Sequence, residues 1–165
     1  MSNVILFSEK QKMKQWWLMI PLVILNLVLF IRAIIFFVRD HSIIKSYFEI
    51  FFPLILVLLI TILIYSLNLR TIIKDDGIYV QLFPFHRSLK HYTWNDLDKV
   101  YVRKYNPIKE FGGWGLKGTS KNRAYNLSGD IGLQLLFKDG HKLLIGTKMA
   151  SELTTVLREI GKYNH

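Results

Sequence analysis

The chain has no cysteine. That excludes disulfides, thiolate chemistry and cysteine-ligated zinc, and it leaves the compartment open. Acidic residues are few: 12 Asp and Glu stand against 22 Lys and Arg, a net charge of +10. No paired-carboxylate cleft and no Ser-His-Asp order can be assembled, so a non-catalytic protein is expected. His86, His91 and His141 lack ligand spacing with nearby carboxylates, and neither a metal nor another cofactor is expected. Internal repeats and low-complexity segments are missing too. The most informative absence is of charge: Ile50–Leu67 carries none, and Thr61, Tyr65 and Ser66 are its only hydroxyls.

What fills the uncharged stretch is apolar, and it has a counterpart. Trp16–Val38 contains only Asn26 and Arg32 as strongly polar residues. A bilayer core about 30 Å thick needs ~20 apolar helical residues. The two runs, about 16–38 and 47–67, predict a transmembrane helical hairpin over 16–69. The first is too long for a signal-peptide core and ends in Phe36-Phe37-Val38-Arg39-Asp40 instead of small residues, so cleavage is not expected. Trp16 and Trp17 suit an interfacial aromatic belt. Asn26, near mid-membrane, suits helix packing by hydrogen bonding, and Arg32 can snorkel to the interface. Arg39–Ser46 reads as the turn. Residues 1–15, with Lys10, Lys12 and Lys14, read as a basic tail resting on the membrane surface.

From Arg70 the period changes from helical to alternating. Arg70–Lys74, Ile78–Phe83, Ser88–Thr93, Lys99–Tyr105, Ala124–Ser128, Ile131–Phe137 and His141–Thr147 read as strands bounded by turn residues. Asp139-Gly140 is a hairpin signal. Leu153, Val156, Leu157 and Ile160 form the stripe of a final helix, about Ala150–Lys162. The expectation is a mainly-β domain over 70–165, a small barrel of about seven strands capped by the helix and able to fold alone.

Asn106–Arg123 reads as a long glycine-rich loop. Gly113-Trp114-Gly115-Leu116-Lys117-Gly118 formally matches G-x-G-x-x-G, but no helical pattern follows it, so a dinucleotide site is not expected. Phe111 and Trp114 are expected to hold the loop, with Trp114 at least half buried. The loop is either functional or a cover over one end of the barrel.

A membrane hairpin followed by strands and a capping helix resembles bacterial membrane proteins with a pleckstrin-homology-like domain. The resemblance is carried by Trp94-Asn95-Asp96-Leu97, by Tyr105–Gly115 with its Glu-Phe-Gly-Gly-Trp-Gly run, by Ala124–Gly129 and by Ile145-Gly146-Thr147. It implies the fold and a bacterial inner-membrane setting, and supplies no catalytic residues. Lipid-binding relatives place cations in the first hairpin, where this chain has Lys74-Asp75-Asp76-Gly77. Other cations remain for an anionic lipid surface: Arg87 and Lys90, beside His86, and Lys117, Lys121 and Arg123. Basicity also fits nucleic acid, but a membrane tether favours the lipid leaflet, and nucleic acid is not expected as a partner.

Two functions follow as expectations. One is a membrane-anchored binding module that grips a protein or peptide partner through Phe111, Gly112, Gly113, Trp114 and Gly115. The other is a lipid-responsive or structural subunit of a larger, possible oligomeric membrane assembly, with Asn26 at a packing contact. The positive-inside rule weighs Lys10, Lys12, Lys14, Arg70 and Lys74 against Arg32, Arg39 and Lys45, and places both termini in the cytoplasm.

Overall fold

The computed structural model describes residues 4–13, 15–39 and 44–164. Two compact units emerge. One is Lys14–Ser66; the other takes in the chain up to Met13 and from Leu67 onward.

The first unit is helical: α1, Trp16–Arg39, and α2, Ile44–Ser66. Both are long and apolar enough to cross a membrane. Their apolar side chains are mostly exposed within the unit, as a lipid-facing surface requires. The Asn26 amide donates to the Leu22 carbonyl at 2.7 Å and, across to α2, to Thr61 Oγ1 at 2.9 Å. Thr61 in turn donates to the Val57 carbonyl at 2.8 Å. The expected turn, with Ser42, lies outside the described residues, apart from its α1 and α2 ends.

The second unit holds nine strands among the described residues, not seven, and they form two sheets instead of a closed barrel. The first sheet has the order β1-β2-β3-β4, with β1 at Ile5–Lys12, β2 at Asn68–Lys74, β3 at Gly77–Phe83 and β4 at Lys90–Thr93. All its pairings are antiparallel. The second sheet has the order β5-β8-β9-β7-β6: β5 Leu97–Lys104, β6 Gly115–Gly118, β7 Asn122–Asn126, β8 Ile131–Phe137 and β9 Lys142–Gly146. Its single parallel pair is β7 with β9. A 3-10 turn at Trp94–Asp96 links the sheets. Helix α4, Ala150–Glu159, closes the domain and buries Leu153 and Leu157, each stabilising by about 1.5–3 kcal/mol.

The strand β1 corrects the reading of residues 1–15 as a surface tail. It pairs with β2 from Ile5↔Lys74 to Lys12↔Asn68, and the Met13 amide adds a last bond to the Leu67 carbonyl. The domain therefore begins before the helical pair and resumes after it. Alternation hid the strand because its inward face is Phe7, Glu9, Gln11 and Met13, half of it polar. These polar groups find partners far along the chain. Glu9, 6% exposed, accepts from Thr147 Oγ1 at 2.6 Å and from the Lys148 amide at 2.8 Å. Gln11, 3% exposed, donates to the Gly146 carbonyl at 2.7 Å. The bonds of Glu9 and of the Gln11 amide hold β1 against the β9–α4 junction, while Gln11 Oε1 has no partner among the described residues.

The expected loop 106–123 contains helix α3, Pro107–Phe111, and strand β6. Asn106 caps α3 by accepting from the Lys109 amide, and Pro107 sits at its start, where a missing donor costs least. Gly112 ends it in the left-handed region at φ 73°, a conformation only glycine adopts without penalty. Arg103 clamps Glu110 through two bonds, and this holds the Glu110 carboxyl below its usual range.

Candidate functional site

The glycine-rich run is largely spent on the fold. Phe111 is buried and meets Tyr105 edge-on, ring centres 6.0 Å apart. The Gly115 amide donates to Oδ1 of the fully buried Asn126, whose Nδ2 donates to the Tyr105 hydroxyl at 2.9 Å. Trp114 is half-buried and donates to the Gly129 carbonyl at 3.1 Å. What this region presents outward is β6, the edge strand of its sheet among the described residues, with an exposed Leu116.

The expected basic residues divide. Lys90 and Arg123 come together; Arg87 stands exposed between β3 and β4, Lys117 lies on β6, and Lys121 is exposed in the β6–β7 turn. Lys90 and Arg123 line one cleft of about 260 Å³. It is built by strand periodicity. Lys90 and Tyr92 share a face of β4, Arg123 and Tyr125 a face of β7, and the parallel register sets Leu143 of β9 beside Arg123 on that face, while Lys142, opposite Asn122, joins the lining from the start of β9. Ser120 and Phe137 complete the wall, and His141 and Asp139 stand at the β8–β9 turn.

The cleft is electrostatically lopsided. Two cations of the second sheet are paired, Arg103 with Glu110 and Lys104 with Asp130. Lys90, Arg123 and Lys142 form no ion pair among the described residues. The one carboxylate of the lining, Asp139, is occupied by the amide and ring of His141, which hold it below its usual range. Lys90 Nζ donates to the Tyr125 hydroxyl at 3.5 Å. Burial, then Tyr125, pushes the Tyr92 hydroxyl well above its ordinary value, so that phenol stays a neutral donor.

Behind the cleft His86 packs edge-on against Tyr125 at 4.9 Å. Its Nδ1 accepts from the Leu82 amide, so that nitrogen carries no proton. Burial first, then Lys90 and Arg123, lower its pKa. The imidazole is thus held neutral first by burial and second by the positive field beside it.

No family model, curated protein or solved structure matches the chain. The site therefore stands on its own geometry. Sequence reasoning found Lys90 and Arg123 but missed Tyr92, Tyr125 and Lys142. A signal was present: Lys90-His91-Tyr92 and Arg123-Ala124-Tyr125 both put a cation and a phenol two residues apart, on one strand face.

Proposed function

We propose that this chain is a membrane-anchored, non-catalytic binding module, pleckstrin-homology-like in plan, whose cleft takes an anionic phosphate- or carboxylate-bearing group. Three cations without acidic partners, walled by phenols, carry the reading. An anion there gains charge-assisted bonds from Lys90, Arg123 and Lys142 and neutral ones from Ser120 and the tyrosines. The test uses the full chain in detergent with inorganic pyrophosphate as probe, followed by NMR. Saturable shifts at Tyr125, Ser120 and Leu143 are expected. Replacing Lys90 and Arg123 together by Gln weakens them by tens-fold, about 1 kcal/mol or more per cation. Absence of saturable shifts would sink the proposal.

A second reading, a peptide partner added along β6, is favoured by that strand's edge position and exposed Leu116. Loss of co-purifying partners on Leu116→Asp, with an unchanged fold, would support it. The assembly reading keeps Asn26 as its residue: both amide protons are used within the hairpin, but the buried Oδ1 has no hydrogen-bond partner among the described residues and is left to accept one from a further helix. The proposed location is the bacterial inner membrane.

A further inference from the structure

The β3–β4 connection, residues 84–89, with Phe83 before it, combines features that a soluble surface does not need. Phe83 is 42%, Phe85 51% and Leu89 37% exposed, with Arg87 among them. Yet the segment is held firmly from behind. The Gln81 amide donates to the His86 carbonyl at 3.2 Å and to the Arg87 carbonyl at 3.0 Å. The His86 amide donates to the Leu82 carbonyl, and its ring is buried against Tyr125. The apolar side chains are therefore displayed on a fixed turn.

Register fixes where on the sheet this turn lies. Phe83 is opposite Asn68, and Asn68 is opposite Lys12. Asn68 follows Ser66, the end of α2, by two residues; Lys12 precedes Trp16, the start of α1, by four. The outward positions of these rungs are Lys10, Lys12, Arg70 and Phe83, all exposed. The opposite end of the same sheet, about 20 Å away along β2, carries the turn Asp75-Asp76. The sheet's exposed charge is thus uneven: Lys10, Lys12, Arg70 and Arg87 gather toward the end that runs into the helices, while Asp75 and Asp76 lie at the other, beside Lys74 and the stacked Tyr79 and His91 rings.

We propose that this end of the first sheet rests on an anionic lipid surface, with Phe83, Phe85 and Leu89 inserted among the headgroups and Lys10, Lys12, Arg70 and Arg87 meeting lipid phosphates. It rests on the reading of α1 and α2 as membrane-spanning. The occupant is lipid because the turn begins on the rung of Asn68 and Lys12, whose strands continue in sequence into two apolar helices, and because its charge opposes that of an anionic leaflet.

The chain lacks cysteine, so single labels are clean. Phe85→Cys, Asp75→Cys and Leu25→Cys are each labelled with an environment-sensitive fluorophore in the full chain. Each is reconstituted in phosphatidylcholine vesicles with about 30% phosphatidylglycerol. The expected result is a blue shift and quenching by headgroup-proximal spin-labelled lipid at 85, aqueous emission at 75, and quenching by deep acyl-chain labels at 25. Quenching at 85 is expected to fall in pure phosphatidylcholine. Aqueous emission at 85 with deep quenching at 25 overturns the docking alone; no quenching at 25 overturns the membrane reading and the docking with it. Quenching at both 75 and 85, or a blue shift at 85 without lipid quenching, also overturns it. Equal quenching at 85 in both lipid mixtures overturns the anionic assignment.

Discussion

At the residue scale His86 connects the cleft to pH. Its folded pKa lies below the ordinary 6.5, so the folded state prefers the neutral ring. The unfolded chain then binds more protons between the two values. The contribution is complete above about 6.5 and is lost as pH falls through the folded pKa. The His86 ring shifts, followed by NMR, should titrate below 6.5 in the free protein. Saturating pyrophosphate should move that titration upward, because it offsets the Lys90 and Arg123 charges; an unmoved His86 would argue against anion binding beside it. Asn126 is the second residue with a sharp expectation. Asn126→Leu orphans the Gly115 amide and removes the Tyr105 partner, and should cost about 1–3 kcal/mol in denaturant unfolding.

At the element scale, legibility followed periodicity. The apolar helices, β8, the Asp139-Gly140 hairpin and α4 each carry one clean period with suitable ends, and each was readable. β6 was lost because Gly115-Leu116-Lys117-Gly118 has almost no side chains to alternate. β1 was lost because two of its inward residues are Glu9 and Gln11, which look like surface until Gly146–Lys148 supplies their partners. The cleft was half readable, since a charge run shows which cations exist but not which strands bring them together. The expectation that residues 70–165 fold alone now changes. A fragment 70–165 lacks β1 and should show no cooperative unfolding. A soluble chain in which Lys14–Ser66 is replaced by Asn-Gly should fold, because Met13 and Leu67 are already hydrogen-bonded neighbours. Thermal melts by circular dichroism distinguish the two. Within the hairpin, a double-mutant cycle of Asn26→Leu and Thr61→Val should return a coupling of about 0.6–2 kcal/mol.

At the scale of the whole molecule, β1 and β2 belong to one sheet although the two apolar helices lie between them in sequence. Both ends of a membrane-crossing pair must then return to the same side. The positive-inside rule is the ground on which we propose the cytoplasm as that side. An impermeant thiol reagent on intact cells should label Ser42→Cys and spare Thr119→Cys; the reverse would turn the domain outward.

The same arrangement orders events in time. Strand β1 leaves the ribosome before both helices, and its partner β2 follows only after they are made. The acceptors and donors for Glu9 and Gln11 come later still, 135 to 139 residues after their partners. At about 5–20 residues per second that is a wait on the order of ten seconds. During it β1 is an unpaired edge beside a nascent membrane segment, and a chaperone or the insertion machinery has that interval in which to hold it.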